Sequence, residues 1–392
     1  MEKRQTNTSR HTKRHTANKR KSQMKSGVIS AFYFFYFAGM GIWVIFAPKT
    51  LNQLGYDELQ IGIIFAITPL VRFLSPFLFI KAGTISKKLF LSSSILTLIS
   101  TLFFTITIPS FIFFALNILV FSIFWVIILP YADSIALENI PAKKYGKIRL
   151  FGSIGFMLIG IVLGEKANNP SLVYILYVLF TLITAVFCFL LAKLDTNIAT
   201  KQTLLENEKS SFMPQKNWQM WLSMFLLQFS FGAFYNFFTI YETTHGISLT
   251  TTTYLWGFGV LCEIAMFLFQ GKFIDRINPI NVIKFTIAAT VVRWSLLYIF
   301  PYSLTASFIS QSIHAVNFAL YTTAVFLYLA KTYPDSKKLA QMFFYGIAYG
   351  LGGFLGAIFS GYFYSEKIYL YSAVSALLAL IVLLPQKKVL LN

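Results

Sequence analysis

The chain has 392 residues, of which 56% are hydrophobic and only 12% are charged, whereas an ordinary soluble domain is about 25% charged. Its formal net charge of +19 would suggest a nucleic-acid partner in a soluble protein. Apolar runs of about 20 residues, the length needed to cross a bilayer as a helix, exclude a soluble fold.

Twelve apolar runs follow one another along the chain, and each is predicted to be a membrane-spanning helix. They cover residues 28–47, 61–80, 89–108, 111–130, 148–164, 171–192, 219–241, 252–270, 281–300, 303–330, 339–361 and 367–385. The fifth run is short, and the tenth is long enough to tilt or protrude. No set of short alternating strands is present, so the sequence predicts an all-α membrane protein.

A polar segment, residues 193–218, separates the first six spans from the last six. Several secondary transporters are built from two such halves. The predicted organisation is a disordered basic tail at 1–27, a six-helix half at 28–192, a linker at 193–218, a second six-helix half at 219–385 and a short tail at 386–392.

The distribution of basic residues predicts which side of the membrane each loop faces. Of the 33 Lys and Arg residues, only Lys49, Lys166 and Lys367 fall in loops on the side opposite to the termini. Because cytoplasmic loops carry the excess of Lys and Arg, both termini and the linker are predicted to be cytoplasmic. The basic charge therefore reports topology, and no nucleic-acid partner is expected.

No arrangement in the sequence suggests catalysis or a metal centre. The two cysteines, Cys188 and Cys262, lie inside apolar spans and are expected to be core residues without a disulfide. There is no zinc-ligand spacing, phosphate-binding glycine loop or Ser/His/Asp set, so no cofactor and no metal are expected. A membrane enzyme would need clustered acids or histidines near one membrane face, and a non-transporting sensor would need a sizeable soluble domain.

Four ionisable residues fall near the middle of predicted spans, and they are Arg72, Glu263, Arg293 and His314. At about 1.5 Å per residue they lie about 17 Å deep in an apolar core of about 30 Å. Ionisable groups at such depth usually mark a substrate or ion pathway. The alternative is a set of buried ion pairs that only fix the helix register, although such pairs stabilise poorly.

Asp133 and Arg149 lie near the ends of the fourth and fifth spans. On position alone they could form an interfacial ion pair or belong to a substrate site.

The stretch YGKIRLFGSIG at residues 145–155 resembles the helix 5 signature of the lactose-permease-like branch of the major facilitator superfamily. Shorter matches occur in the right order around Arg72, Trp256, Arg293 and His314. The likeness extends over nearly the whole chain and is strongest to the bacterial phenylpropionate permeases of that branch. It implies a major facilitator fold of twelve helices, the bacterial inner membrane, a monomer, and a small-molecule substrate and protons as partners.

The resemblance also implies roles for individual residues. Arg149 matches a substrate-binding arginine, Asp133 a carboxylate on helix 4, and Glu263 a glutamate near substrate and proton. The positions that match the proton-coupling region are Glu263, Tyr235, Arg293 and His314. The substrate site expected from these matches and from the depth argument contains Arg149, Asp133, Phe156, Arg72 and Glu263.

The departures from the sugar permeases affect both substrate and coupling. Phe156 stands where they have a tryptophan that stacks on the sugar, and Asn317 stands where they have a proton-carrying glutamate. Two acids of helix 7 are replaced by Asn236 and Thr239. Glu263 is then expected to be the only acid deep in the second half.

Charge and aromatic content predict the substrate class. The three arginines Arg72, Arg149 and Arg293 outnumber the two acids Asp133 and Glu263, so the expected cavity has a net positive charge. Such a charge favours a monocarboxylate substrate. Aromatic residues are dense in the first and seventh spans and suit a phenyl ring. The sequence therefore predicts proton-coupled uptake of a small aromatic monocarboxylate such as 3-phenylpropionate. The alternatives are a proton-coupled nucleoside or sugar symporter, or efflux of an amphipathic compound.

Overall fold

The computed structural model describes residues 23–82, 86–195 and 212–385, and within these ranges it contains helices and no β-strand. The predicted tails and linker, where they cover residues 1–22, 196–211 and 386–392, lie outside the described residues. Twelve long helices are α1 Gln23–Gln53, α2 Glu58–Ala82, α3 Lys87–Leu102, α4 Phe111–Asn139, α5 Ala142–Leu163, α6 Pro170–Ala192, α7 Pro214–Thr244, α8 Leu249–Phe269, α9 Pro279–Ile299, α10 Leu304–Thr332, α11 Lys337–Tyr362 and α12 Ile368–Leu383. Ten described helices are long and apolar enough to cross a membrane.

Successive helices run in opposite directions through the bundle. We call the end where α1 begins and α12 ends the terminal side, and the opposite end the distal side. Tyr56 donates from Oη to the carbonyl of Ile108 at 2.7 Å on the distal side. Tyr131 donates to Oδ2 of Asp195 at 2.6 Å on the terminal side. Long-range side-chain contacts therefore tie the helix ends together on both sides.

Polar residues at the helix starts set several boundaries. The side chain of Asn278 accepts from the backbone N–H of Ile280 at 3.0 Å, and Pro279 occupies the first turn of α9. The side chain of Ser303 accepts from the N–H of Ala306 at 3.3 Å at the start of α10. These caps satisfy N–H groups that the helix itself leaves without a partner, and proline fits there because it lacks an N–H. Such starts fall close to the predicted span edges.

Other boundaries differ from the prediction. Helix α1 begins at Gln23, so residues 23–27 are helical and do not belong to the predicted disordered tail. Helix α7 runs past the predicted span on both sides, to Pro214 and Thr244. Helix α3 ends at Leu102, before a separate turn at Phe104–Thr107. Hydropathy detects only the apolar part of a helix, so polar end turns and a local break escape it.

Three helices contain a π-helical segment, and these segments are Ile42–Phe46 in α1, Val316–Leu320 in α10 and Tyr345–Gly352 in α11. The α-helical hydrogen bonding of α7 is interrupted at Phe231, between Trp218–Ser230 and Gly232–Thr244. π-helical segments are rare in proteins, and those that occur are often found at functional sites. The segment in α10 begins two residues after His314, so an irregular turn lies beside a predicted site residue.

The two six-helix halves meet through α2 with α11 and through α5 with α8. Gly62 of α2 lies so close to α11 that a Cβ there would be 2.7 Å from the carbonyl oxygen of Ala357 and 3.0 Å from Cα of Gly361. Just beyond α5, the N–H of Glu165 donates to Oγ1 of Thr250 at 3.0 Å. These contacts join the halves on the distal side, because all of these residues lie there.

Candidate functional site

Arg293, two-thirds of the way along α9, is fully buried. Its Nη1 lies 3.1 Å from Nδ1 of His314, and its Nη2 lies 3.4 Å from Oε1 of Gln311, both on α10. The guanidinium carbon lies 4.2 Å from the ring centre of Phe234 and 4.4 Å from that of Trp294. Since a guanidinium only donates hydrogen bonds, Nδ1 of His314 is the acceptor.

His314 connects Arg293 to Glu263 of α8. Its Nε2 lies 3.8 Å from Oε2 of Glu263, within ion-pair distance but too far for a hydrogen bond. Because Nδ1 accepts from Arg293, the proton of a neutral imidazole lies on Nε2, which faces the carboxylate. Three predicted coupling residues from three helices therefore form one row, which we call the coupling row.

Asp133 of α4 is held by two tyrosines. Tyr33 of α1 donates to Oδ1 of Asp133 at 2.6 Å, and Tyr145 of α5 donates to the same oxygen at 3.4 Å. One turn further along α5, the guanidinium carbon of Arg149 lies 4.1 Å from the ring centre of Phe37 and 4.9 Å from that of Tyr33. The guanidinium of Arg149 thus packs against both rings.

Arg149 and Asp133 interact electrostatically, but in the described part of the chain no Arg149 nitrogen lies within 4 Å of an Asp133 oxygen. The direct interfacial ion pair considered in the sequence analysis is therefore not formed. Arg149 instead acts electrostatically on Glu263 of the opposite half. Its N–H groups make no hydrogen bond to any side chain or carbonyl that the structure describes.

Arg72 of α2 differs from the other mid-span residues because it is exposed. It interacts electrostatically with Tyr36 of its own half, and with Tyr235, Tyr345 and Tyr349 of the opposite half. Arg72 therefore faces the space between the halves and is not one of the buried ion pairs considered from the sequence.

Tyr235 lies on α7 between the coupling row and Arg72. Its ring stacks on that of Phe231 with centres 5.7 Å apart, beside the break in α7. It interacts electrostatically with Arg293, Glu263 and Arg72. The predicted coupling tyrosine is therefore close to the charged residues of both halves.

Phe156 and Trp256 form an aromatic contact across the two halves. Their ring centres are 6.2 Å apart in an edge-to-face arrangement. Phe156 lies seven residues distal to Arg149 on α5, and Trp256 lies seven residues distal to Glu263 on α8. Seven residues are about two turns, or about 10 Å, and keep side chains on one helix face. The site thus has a charged level and, further toward the distal side, an aromatic level.

Two of the positions that differ from the sugar permeases, Asn317 and Thr239, join neighbouring helices. Nδ2 of Asn317 donates to Oγ1 of Thr290 at 2.7 Å and so ties α10 to α9. Oγ1 of Thr239 accepts from Nε1 of Trp256 at 3.1 Å and so ties α7 to α8.

Glu242, near the distal end of α7, is a second buried acid of this half that the sequence analysis did not single out. Its side chain is 0% exposed, and its two carboxylate oxygens lie 3.1 and 2.9 Å from Oγ of Ser307 on α10. The predicted span ended at residue 241, one residue too early to include it. Sequence reasoning also missed Tyr33 and Gln311, because neither carries a charge that would mark it in an apolar run.

Other candidate sites find little support. Within the described residues no group of three His, Cys, Asp or Glu side chains is placed to hold a metal ion, and both cysteines are free. Two surface grooves have volumes of about 420 and 440 Å³. They are lined mainly by aromatic and aliphatic side chains, without a titratable residue, and lie apart from the charged level.

Twelve helices in two halves, with ionisable side chains facing each other between them, are the architecture of major facilitator transporters. The chain belongs to the MFS_1 like family, whose model matches residues 27–373. It is a multi-pass membrane protein and a transporter of the major facilitator type. Its relatives and its fold are those of transporters and not of enzymes.

Two relatives have similar sequences over most of the chain. The probable 3-phenylpropionic acid transporter of Escherichia coli K12 is 27% identical over 364 residues, which cover 90% of this chain and 93% of that protein. The uncharacterized transporter YwbF of Bacillus subtilis 168 is 24% identical over 345 residues, which cover 86% of each.

Solved structures show the same fold. The nucleoside transporter NupG superposes with a TM-score of 0.76 at 17% identity, over 93% of this chain and 100% of that chain. A D-xylose–proton symporter superposes with a TM-score of 0.62 at 12% identity, over 92% of this chain and 96% of that chain. The predicted fold is confirmed, and at these identities the likeness concerns the fold alone.

Proposed function

We propose that this transporter carries out proton-coupled uptake of a small aromatic monocarboxylate, of the class of 3-phenylpropionate, by alternating access. The proposal rests on the environment of Arg149. Its guanidinium rests on the ring of Phe37 at 4.1 Å, has no hydrogen-bond partner among the described residues, and interacts electrostatically with Glu263 of the opposite half. An arginine fork held by aromatic rings is pre-organised for two parallel hydrogen bonds to a carboxylate.

The aromatic level supports a ring on the substrate. Phe156 and Trp256 lie about 10 Å from the level of Arg149 and Glu263, measured along their helices. This spacing suits an acid whose phenyl ring is joined to its carboxylate by a short alkyl chain. The ring would then pack against Phe156 while the carboxylate binds Arg149. The name of the Escherichia coli relative supports the same substrate class.

The coupling row supports proton linkage. Glu263 interacts with Arg149 from one side and with His314 from the other. While Glu263 is ionised, it competes with a substrate carboxylate for Arg149. A proton on Glu263 ends this competition, so the anion and the proton load together. Release of the proton returns Glu263 to Arg149 and favours release of the anion.

The contacts between the two halves indicate which side of the membrane is closed in the described conformation. We take the terminal side as cytoplasmic, because nearly all Lys and Arg residues outside the spans lie there. The halves are joined on the distal side by α2 with α11 and by α5 with α8. On this assignment the described conformation is closed to the outside, with the site at the interface of the halves.

A ligand screen tests the substrate class. Purified protein should gain thermal stability from aromatic monocarboxylates such as 3-phenylpropionate, and not from nucleosides or sugars. Charge-assisted hydrogen bonds contribute about 1.5–3 kcal/mol, so Arg149→Gln should weaken binding by about 10- to 150-fold. Arg149→Lys should also weaken it, because lysine lacks the planar fork. Phe156→Ala should weaken binding of phenyl acids more than of acetate.

The matched control is Lys147→Gln, which removes an exposed cation two residues away on the same helix. It should leave binding unchanged. If Arg149→Gln binds and transports aromatic acids normally, the proposed carboxylate site is wrong. Stabilisation by nucleosides or sugars alone would favour a symporter of neutral substrates, and transport out of cells would favour efflux of an amphipathic compound.

A further inference from the structure

Glu242 is a buried acid that the proposed mechanism does not use. It is 0% exposed, and within the described residues no Lys, Arg or His nitrogen lies within 4 Å of its carboxylate. The hydroxyl of Ser307 on α10 is its hydrogen-bond partner. A charge buried without a cation is strongly unfavourable, so this carboxyl is stable in such a place when it carries a proton.

Within the described residues the neighbours that act on Glu242 are hydroxyls, and no cation lies within 4 Å of its carboxylate. Tyr241 on its own helix and Tyr369 on α12 interact with it electrostatically. The hydroxyl of Tyr369 is buried and has no hydrogen-bond partner in the described residues. Tyr369 also interacts electrostatically with Arg293 of the coupling row. The parts of α1, α2, α8 and α11 that the structure describes near this end of α7 place no cation within 4 Å of the carboxylate.

One face of α10 connects Glu242 to the coupling row. Ser307, Gln311 and His314 are spaced by four and three residues, which places them on the same helix face, and all are buried. Oε1 of Gln311 accepts from Arg293, but its Nε2 has no partner in the described residues. Buried polar atoms are nearly always hydrogen-bonded, and ordered water is the usual partner when no protein group is near.

Helix α8 is shaped to let this face approach. A Cβ on Gly259 would lie 2.8 Å from Oε1 of Gln311 and 3.6 Å from Cδ2 of His314. Gly259 precedes Glu263 by four residues, so the two share a face of α8. The polar face of α10 therefore runs from Glu242, near the distal side, to Glu263, near the middle of the bundle.

We propose that Glu242 is a second proton-binding carboxyl, linked to Glu263 by the polar face of α10; this rests on the proton coupling proposed above. A proton from water on the distal side binds a carboxylate oxygen of Glu242. It leaves along the Ser307 hydroxyl and water held beside Gln311, and ends on Oε2 of Glu263. The steps break and form only O–H bonds, and Glu242 is ionised only until the next proton arrives. Glu242 thus takes up the proton closer to the outside than the substrate site.

Transport by the full chain in proteoliposomes tests this proposal, with labelled 3-phenylpropionate as the probe. Glu242→Gln keeps the shape and still accepts the Ser307 hydrogen bond, so a purely structural role would survive the change. We expect uptake driven by an imposed pH gradient to fall at least tenfold, while exchange of labelled for unlabelled substrate persists. Ser312→Ala is the matched control, because that hydroxyl is exposed and bonds the carbonyl of Ile309 on its own helix. Accumulation by Glu242→Gln equal to that of the unchanged protein would overturn the proposal.

Infrared titration of the purified protein separates this inference from the proposed function. The spectrum of the unchanged protein should contain a carbonyl band of a protonated carboxylic acid that Glu242→Gln lacks, with or without substrate, while any band from protonated Glu263 remains in both. If the two spectra agree at every pH, Glu242 does not bind a proton and the inference fails. If the band is lost but the unchanged protein shows no pH-driven uptake of aromatic acids, the proposed function fails and the proton site stands.

Discussion

Arg293 carries its charge in the middle of the bundle without a carboxylate within 4 Å in the described residues. The charge is shared between a histidine nitrogen, a glutamine oxygen and the ring faces of Phe234 and Trp294. Cation–π contacts of this kind strengthen when water is excluded. Nδ1 of His314 accepts a hydrogen bond from Arg293, and Nε2 carries the proton of the neutral ring. Neither ring nitrogen is therefore free to accept a proton from Glu263. We therefore expect a proton that enters this row to stay on Glu263.

At the residue scale the coupling prediction is Glu263→Gln, which should behave as a permanently protonated carrier. It should lose accumulation driven by a proton gradient, because it releases no proton. It should still exchange labelled for unlabelled substrate across the membrane of a proteoliposome, because exchange involves only the loaded carrier.

Glu138→Gln is the control, since Glu138 is an exposed acid at the terminal end of α4. It should accumulate substrate normally. Continued accumulation by Glu263→Gln under a pH gradient would mean that the proton travels elsewhere, and His314 would then be tested first.

The sequence singled out charged candidates for the site more readily than neutral ones. Arg293, His314 and Glu263 were predicted because a charge in an apolar run is conspicuous, and the structure brings them into one row. Tyr33 and Trp256 were not predicted, because aromatic residues are abundant in the spans. The sequence does not show which of them face the interior of the bundle and which face lipid. The contact of Phe156 with Trp256 depends on how two halves dock, which no local pattern encodes.

Among the elements, the helices follow the apolar runs closely because length and hydropathy alone decide whether a segment crosses a bilayer. The π segments had no signal in the sequence. An extra residue in a helical turn is stable only when neighbouring helices accommodate it, so it is a property of packing. The early start of α1 at Gln23 was not predicted for a different reason, because the first turns of this helix are polar and hydropathy does not detect them.

The α2–α11 contact gives the prediction at this scale. A Cβ on Gly361 would lie 2.5 Å from the carbonyl oxygen of Glu58 and 3.0 Å from Cα of Gly62, and backbone cannot move aside as a side chain can. Gly361→Val should therefore separate the halves on the distal side. Overpacking costs about 1–3 kcal/mol, which shifts the ratio of two conformations by about 5- to 150-fold. Spin labels on Gln53→Cys and Ser365→Cys, placed in a background without the native cysteines, should move apart.

Gly346→Ala is the control on the same helix, because nothing lies within 4 Å of a Cβ there. It should leave the label distances unchanged. Unchanged distances in Gly361→Val as well would show that the glycine contact does not hold the distal side closed.

For the whole molecule, the number of helices and the two halves followed from the sequence, since each span is a local feature and the polar break between spans six and seven is long. The closed distal side did not follow, because it depends on contacts such as Gly62 with Gly361, whose residues are about 300 positions apart in the chain. The charge pattern predicts orientation but carries no information about which side is closed.

Orientation gives the prediction at this scale. Alkaline phosphatase, which is active only outside the cytoplasm, should be active when fused after Thr243 and inactive when fused after Gln202. The reason is that Lys and Arg are concentrated on the terminal side. The reverse pattern of activities would place the termini outside and would invert the assignment of the closed side.

Burial of Arg293 has a consequence for biogenesis. An arginine at the centre of a helix makes insertion by the translocon less favourable by about 2.5–3.5 kcal/mol, so α9, although apolar enough overall to span a membrane, inserts less readily than it would without this residue. The groups that accept hydrogen bonds from its guanidinium, His314 and Gln311, lie on α10 and are synthesised about 20 residues later. We therefore expect stable insertion of α9 to wait until α10 leaves the ribosome, so that the two helices enter the lipid as a hairpin. We expect Arg293, which joins α9 to α10 in the folded bundle, also to set the order in which these two helices integrate during synthesis.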